Sequence, residues 1–580
     1  MIKISNKLKY KLIENSKNDL NNIIDTVLKN RGIDNINEYL SLTDKVLYSY
    51  KLFKNIDKAV QCFNKHTDNN SNIHIVVDSD VDGYTSGAIM YSYINDLFPN
   101  CKLSYSLHTK KQHGLTNDIE IPKDIELLII PDASSNDIEK CKKLKENNSN
   151  LDIIILDHHI IEQDNPYAIV VNSNDGVYPN KELSGVGVVY KFLQALDDVN
   201  LEDKADNYLD LVALGNIADM MDIRVYETKR LIDKGLIHKN IKNKVFHAFI
   251  ERQRDIIHNN VSIHNIQFYI VPLINAMIRM GRQEEKELMF KSFIEQDEYF
   301  DYKKRGSNEI VKEDIYTRVA RFCSNAKIRQ QTAVTKAMCE IEPLIDKNTD
   351  KVLFINTSKI LADTLTGVLA TKIAEKYQKQ TLCLRKTETK GLYGGSGRNY
   401  KNSFIKSLKD ILTNTNCFEM VRGHDNAFGL EIASSNIKNA INTLNNLNID
   451  SGNTCKFCDF IIQPDDLTIE TMKRLSDVSD YCGQNIDEPL IAIENIELSR
   501  EQLKIMGKLG NSWKFETDSG VNIVKFNVDL KTDEALNSFD DFSDYETLLI
   551  NAVGKANINY YQGIATCQFI IDDYEVVNKW

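Results

Sequence analysis

The sequence predicts an α/β protein of several domains: a parallel-sheet domain, a second α/β domain reached through a helical connector, and a small C-terminal β-barrel. Three observations predict it. From residue 73, short β-branched apolar runs alternate with helical segments, at 73-IHIVV-77, 127-LLII-130 and 153-IIIL-156. That is the pattern of parallel strands joined by crossover helices. The alternation restarts at 352-VLFIN-356. Beyond about residue 455 apolar residues recur at every second position, in 522-NIVKFNV-528, 547-TLLINAV-553 and 565-ATCQFII-571, as in the half-buried strands of a barrel.

The elements follow in order. Residues 1–70 read as a helical segment, because YLSLTDKVLYSYKLFKNIDKAVQCF carries apolar residues at helical spacing. The polar run HTDNNSN at 66–72 closes it as a loop. The first α/β domain spans 71–282 and includes helices at 186-VGVVYKFLQAL-196 and within 209-LDLVALGNIADMMDI-223. Residues 283–345 are charged and helical in pattern, and form the connector. The second α/β domain, 346–450, places helix 365-LTGVLATKIAEKY-377 before strand 381-TLCLR-385. The barrel lies within 451–580. A chain of 580 residues suits three or four domains.

Composition bounds the function. With 42% hydrophobic and 27% charged residues, the chain is expected to be soluble and globular. No apolar run reaches the length of a membrane span. MIKISNKLKYKLIENS lacks the apolar core of a secretory signal, so a cytoplasmic protein is expected. Eleven cysteines show no disulfide-like spacing. The one CxxC, Cys455 and Cys458, has only Cys482 soon after it and no histidine. Zinc needs about four ligands, so packing is the expected role. A net charge of −12 argues against coating nucleic acid by bulk charge. It leaves room for a local basic channel, for which 109-TKKQH-113, 251-ERQR-254 and 398-RNYKNSFIKSLK-409 are candidates. Each alone is more often a solvated face, and the third, which adjoins GSGR, is the strongest of them.

In 76-VVDSDVDGYTSG-87, Asp78, Asp80 and Asp82 fall at every second position. This stretch has two readings, a solvated acidic turn and a metal site. On a strand that persists to its end, alternation sends all three carboxylates to one face. Gly83 then permits a tight turn and close backbone approach. Two further strand ends weigh toward metal: Asp132 follows LLIIP, and Asp157, His158 and His159 follow IIIL. Open parallel sheets bind ligands outside the carboxyl ends of their strands. Carboxylates crowded there repel unless cations hold them. Mg²⁺ and Mn²⁺ favour oxygen ligands, and Mn²⁺ accepts imidazole. Two such ions about 4 Å apart activate a water and stabilise a phosphoryl leaving oxygen. Asp219, in GNIAD, is a fourth candidate; taken alone it is an ordinary polar residue at a helix end.

In chain order, DSDVDG, the aspartate after LLIIP, the DHH triplet and GNIAD resemble the four motifs of the DHH phosphoesterase superfamily. 184-SGVGVVYKF-192, 228-TKRLIDKGL-236 and 272-PLINAMIRMG-281 are similar to core segments of its RecJ-like branch of single-strand-specific exonucleases. 394-GGSGRNY-400 and 423-GHDNAFGL-430 resemble the DHH-associated second domain (DHHA1), and 553-VGKANINYYQGIATCQFIIDD-573 resembles the RecJ OB-fold. The resemblance implies that Asp80 and Asp82 bind metal, with Asp78 a further ligand or supporting acid. It implies that Asp132 bridges two metals, that His158 is a ligand and that Asp219 closes the second metal site. His159 would face the scissile phosphate and Asp157 would orient a histidine.

The same resemblance implies that Ser396 and Arg398, with Arg279, recognise a 5′-phosphate and that His424 contacts the strand. Read without it, these are a glycine turn with a solvated arginine and a loop histidine. Tyr560 and Tyr561, beside Lys555 in an apparent hairpin loop, would stack on bases or fold over the loop. The implied cofactors are two Mn²⁺ or Mg²⁺ ions. The implied partner is single-stranded DNA, with a single-strand-binding protein or a helicase as further candidates; no membrane is expected, and a monomer is. The implied function is 5′→3′ hydrolysis of single-stranded DNA to mononucleotides in DNA repair and recombination. The alternatives are a DHH phosphodiesterase of short oligonucleotides or cyclic dinucleotides, and a non-catalytic replication scaffold. Three positions depart from the family pattern: MMDI follows GNIAD where a proline is usual, Arg422 stands where a glycine is common, and Leu273 stands where an arginine is frequent.

Overall fold

The computed structural model describes residues 8–580 apart from 117–118, 305, 307, 346–349, 401–402, 404, 448–454, 508–509, 531, 540–544 and 562. The chain divides into two units, residues 42–450 and residues 1–41 with 451–580.

The larger unit opens with a five-stranded sheet. Its strands are β1 (Asn72–Val77), β2 (Lys102–Leu107), β3 (Leu127–Pro131), β4 (Asp152–Asp157) and β5 (Ile169–Asn172). They run in the order β2-β1-β3-β4-β5, every pair parallel. The three expected strands are the three central ones. Covered on both faces, they are apolar at nearly every position. The two edge strands are less distinct in sequence: β2, KLSYSL, mixes polar residues into a half-buried edge, and β5, IVVN, is a run of only three apolar residues. Three helices frame the sheet's carboxyl end: α1 (Val81–Leu97), α2 (Gly185–Asn200) and α3 (Leu209–Ala218), with α2 and α3 packed on α1.

Helix α4 (Val271–Met280) leads into the connector. The expected continuous helical stretch is interrupted. After α5 (Gln283–Phe293), an antiparallel hairpin, Tyr299–Lys303 with Ile310–Asp314, precedes α6 (Ile315–Ile345). The 31 residues of α6 span roughly 46 Å. It packs against α4 at one stage and against α7 (Thr366–Tyr377) at another, and so joins the two α/β halves of this unit. The second sheet holds β6 (Val352–Asn356), β7 (Gln380–Lys386), β8 (Leu392–Arg398), β9 (Met420–His424) and β10 (Ala427–Ala433) in the order β9-β10-β8-β7-β6. Only β6 and β7 are parallel. Here GGSGR is a strand, not a turn. A Cβ on Gly395 would lie 2.1 Å from the Cys383 carbonyl oxygen, and one on Gly397 would lie 2.2 Å from the Phe428 ring. The glycines answer to sheet neighbours.

The smaller unit holds a seven-stranded mixed sheet made from residues 460–579, including a long hairpin, Thr547–Tyr561 with Ile564–Lys579. The N-terminal segment is divided. Tyr10–Leu12 is a strand, paired in parallel with Lys456–Cys458, and 1–41 belongs with this sheet. Of the stretch YLSLTDKVLYSYKLFKNIDKAVQCF, expected to be helical, only the part within Ile56–Asp68 lies in a helix longer than two turns, and that helix packs on the first α/β half of the larger unit. Cys458 is buried against Ala492 and Val553, and no potential metal-holding group among the described residues includes it or Cys455. Among the described residues no helix is long and apolar enough to cross a membrane.

One ion pair fastens the N-terminal segment to this sheet. Asp459 is fully buried and accepts from Arg31 Nη1 at 2.7 Å and Nη2 at 2.9 Å, and from Asn30 Nδ2 at 2.8 Å. Removing the guanidinium leaves a buried, uncompensated carboxylate. Arg31→Met is expected to lower the unfolding free energy by about 3–5 kcal/mol, read from the urea midpoint of the transition that reports this unit.

Candidate metal centre and phosphate pocket

The three aspartates after β1 do not share one strand face. The strand ends at Val77 and α1 begins at Val81, so each carboxylate is placed by a different device. Asp78 sits in the joint, 1% exposed, and accepts from the Gly114 N–H at 2.7 Å and from His113 Nδ1 at 2.6 Å. Asp80 is the N-cap of α1 and accepts from the Gly83 N–H at 3.0 Å. Asp82 lies inside the first turn of α1 and accepts from the N–H groups of Gly185 at 2.6 Å and Val186 at 3.0 Å, at the start of α2. Gly83 is a helix residue. Its role is close approach, since a Cβ there would lie 2.6 Å from Asp78 Cβ.

Asp132 follows β3 with φ +65, a left-handed conformation uncommon outside glycine. It is 1% exposed. Gly185 lies against it: a Cβ there would fall 2.4 Å from Asp132 Oδ1. From the end of β4, Asp157 accepts from the N–H groups of Ser135 at 3.1 Å, His158 at 2.7 Å and His159 at 3.2 Å, and from His159 Nδ1 at 2.8 Å. It is saturated, and it orients His159 by fixing one ring nitrogen. The charge of Asp157 raises His159 to about 10, against the cost of burial. Burial opposes ionisation of Asp157, but the charge and hydrogen bond of His159 outweigh it and hold the carboxyl below its ordinary range. His158 points the other way. Its Nε2 lies 3.3 Å from Asp132 Oδ1 and 3.3 Å from Asp219 Oδ2, with Asp219 at the C-cap of α3. Burial, then the neighbouring His159, push His158 below its ordinary value.

Those three facing atoms, Asp132 Oδ1, His158 Nε2 and Asp219 Oδ2, are buried and have no hydrogen-bond partner among the described residues. Burial and then Asp219 push Asp82 up to about 7; burial and then Asp80 do the same to Asp219; burial and then Asp82 raise Asp132 well above its ordinary value. Orphaned atoms of this kind, two carboxylate oxygens and an imidazole nitrogen, are the ligand set of Mn²⁺ or a related divalent ion. The ligating atoms of Asp82, His158 and Asp219 lie within 4.8 Å of one another, as do those of Asp132, His158 and His159 and those of Asp78, Asp80 and His113. The residues present fit a divalent-metal centre.

A second feature adjoins it. A cavity of about 290 Å³ is lined by Lys111, Arg279, Ser396, Arg398 and the first turn of α7, with an Arg385–Asp363 ion pair at its edge. Ser396 and Thr366 share a hydroxyl hydrogen bond at 3.0 Å. A Cβ on Gly367 would lie 2.8 Å from Arg398 Nη2. The cations crowd one another: burial and then Arg279 push Arg398 down to about 10, and burial and then Arg279 lower Lys111. A helix N-terminus, two hydroxyls and three cations suit a phosphate. Lys111 was visible only as part of a basic run. His424 lies on β9; burial and then the charge of His159 lower it. Sequence reasoning missed His108 and His113, which flank Asp78. Tyr560 is half-exposed at the tip of the long hairpin in the smaller unit, and the Tyr561 side chain lies outside the described residues.

Comparison with known proteins gives this geometry its setting. The DHH family, N-terminal domain, matches residues 72–216, and the RecJ OB domain matches residues 458–573. The chain is 37% identical over 582 residues to a protein of Bacillus subtilis (strain 168) named as an SPbeta prophage-derived single-strand DNA-specific exonuclease, covering 98% of both chains. The chain belongs to the RecJ-type family of single-strand DNA-specific exonucleases. The single-stranded-DNA-specific exonuclease RecJ of the same organism is 24% identical over 82% of this chain and 59% of that protein. The crystal structure of RecJ with Mn²⁺ from Thermus thermophilus shares the fold, with a TM-score of 0.70 at 16% identity over 98% of this chain and 78% of that one. Against the RecJ-type pattern, Leu273 is a buried core residue of α4 and leaves the cavity to Arg279 from the same helix.

The raised carboxylates predict a stability cost in metal-free protein. Asp219 has a folded value near 7 and an ordinary unfolded value near 4. Its ionisation therefore destabilises the fold increasingly from about pH 4 to 7, and the penalty is complete above that. In EDTA at pH 8, Asp219→Asn is expected to be more stable than the native chain by on the order of 1–3 kcal/mol. The advantage should shrink as pH falls through 7 toward 4, as measured by urea unfolding at several pH values.

Proposed function

We propose that the chain is a divalent-metal-dependent exonuclease that hydrolyses single-stranded DNA from a 5′-phosphorylated end and releases mononucleotides. The observation that carries this reading is the adjacency, within one unit, of orphaned metal-ligating atoms and a cation-lined cavity. Lys111 lines the cavity, and His113, two residues on, bonds the carboxylate of Asp78. An anchored terminal phosphate therefore leaves the first phosphodiester bond beside the carboxylates.

Asp80, Asp82, Asp132, His158 and Asp219 would hold two Mn²⁺ or Mg²⁺ ions, with Asp78 in support. Ions held there supply Lewis acidity at the scissile phosphate. The remaining work falls to the chain. Arg279, Arg398, Lys111 and Ser396 grip the terminal phosphate and set the register. Arg398 offers a planar fork and Ser396 a hydroxyl. His159, fixed through Nδ1 by Asp157, keeps Nε2 for the scissile phosphate, where its charge opposes the charge that develops. His424 approaches the strand from the second sheet. Tyr560, in the smaller unit, offers a stacking surface for a base. A role in repair or recombination, with a single-strand-binding protein or a helicase supplying the strand, fits this chemistry.

End-labelled single strands and duplexes of both polarities, incubated with Mn²⁺, test the reading. Mononucleotides should come from the 5′ end of single strands. Asp132→Ala should abolish hydrolysis while strand binding persists. Arg398→Met should reduce the preference for a 5′-phosphate over a 5′-hydroxyl by about tenfold or more, the worth of one charge-assisted hydrogen bond. Release from the 3′ end, or cleavage confined to dinucleotides, would overturn the proposal.

A further inference from the structure

Segment 108–114 passes beside the joint between β1 and α1, and its two histidines face the same carboxylate. His113 turns Nδ1 inward, 2.6 Å from Asp78 Oδ2 and 4.0 Å from Asp80 Oδ2, while its side chain remains half-exposed. The ligating atoms of Asp78, Asp80 and His113 lie within 4.8 Å of one another. A separate observation comes from His108. It is 4% exposed, neither ring nitrogen has a hydrogen-bond partner among the described residues, and its Nε2 lies 3.9 Å from the other oxygen of Asp78. An imidazole buried without partners is costly. Its presence at this carboxylate marks a pocket arranged around a charge it does not itself neutralise.

The grouping also repeats a chemistry. Asp82, Asp219 and His158 form one set of two carboxylates and an imidazole; Asp78, Asp80 and His113 form a second, with no residue in common. Asp132 is charged against members of both, since Asp82, Asp80 and Asp78 all push its carboxyl upward after burial.

We propose that His113 is a nitrogen ligand of the second cation, held with Asp78 and Asp80, and that this imidazole biases that position toward Mn²⁺ over Mg²⁺. The inference rests on the two-cation reading above. With a cation bound, the Nδ1 proton that bonds Asp78 would leave to solvent, the ring keeping its proton on Nε2, so that the Nδ1 lone pair is free for the ion, and Asp78 would keep its contact with the Gly114 N–H at 2.7 Å. Mn²⁺ accepts imidazole readily, whereas Mg²⁺ holds to oxygen ligands and water. A nitrogen at this position therefore favours one ion over the other, which a purely carboxylate position would do less.

Calorimetric titration of the full chain with Mn²⁺ and, separately, Mg²⁺ tests this, beside His113→Gln and His113→Asn. Circular dichroism checks that each variant is folded. The native chain should bind two Mn²⁺. The variants should keep one at native affinity and bind the second at least about tenfold more weakly. Mg²⁺ affinity at that position should fall less, so that its Mn²⁺ preference drops. The ¹⁴N modulation of the Mn²⁺ electron-spin echo should lose one nitrogen. Unchanged affinities and spectra would overturn the inference. So would an equal fall for both ions with the nitrogen signal kept, since His113 would then only orient Asp78. Either result leaves the two-cation reading standing, whereas a native chain that binds no Mn²⁺ removes both.

Discussion

Like charges buried together set the terms for the rest of this structure. Asp82, Asp132 and Asp219 are held so close, with so little water, that each is pushed above its ordinary range. Among the described residues no arginine or lysine pairs with them. The fold supplies dipoles: the first N–H groups of α2 reach Asp82, and the saturated Asp157 steers one histidine away from the cluster and leaves the other facing into it. A hydrogen-bonded carboxylate is more easily kept ionised, but these bonds fix position and do not neutralise. Orientation comes from the protein and counter-charge from outside it.

Close packing around the cluster follows from that arrangement. Gly83 lets α1 lie against Asp78, and Gly185 lets α2 lie against Asp132, each at a distance where a methyl group would not fit. The left-handed turn at Asp132 stores local strain at the same place. Glycines and strained φ values that weaken a fold elsewhere here bring three strand ends and two helix starts to one point. Rules that favour local stability are expected to fail at functional sites.

Sequence pattern revealed the central strands because burial on both faces makes them continuously apolar, and it revealed the motif residues because acids at strand ends are out of place in a core. It was silent at β2 and the 299–314 hairpin, which mix polar and apolar residues without a clean period, and at β5, whose apolar run is only three residues long. The period-two reading of Asp78, Asp80 and Asp82 failed for a physical reason. A strand–helix joint changes the period, so alternate positions do not share a face. GGSGR looked like a turn because glycine is permissive, yet its glycines meet a carbonyl and a ring across a sheet. His113 and Lys111 lay hidden in a basic run whose meaning depends on what it folds against. The N-terminal segment could not be divided from sequence, since the partner of Arg31 is 428 residues away.

The acidic total and the nucleic-acid substrate are reconciled by the separation of the two sites. One has negative charge in excess and the other positive charge in excess, and each is strained by it: carboxylates raised on one side, Lys111 and Arg398 lowered on the other. Moving the arginines beside the carboxylates would relieve both and would leave neither able to bind a ligand. Kept apart, the two sites have opposite appetites, one for divalent cations and one for a phosphate. The strand proposed as substrate, 5′-phosphorylated and with its cations, would satisfy both at once. Strand binding should therefore be local and charge-specific, and the net charge of −12 across the chain is no obstacle to it.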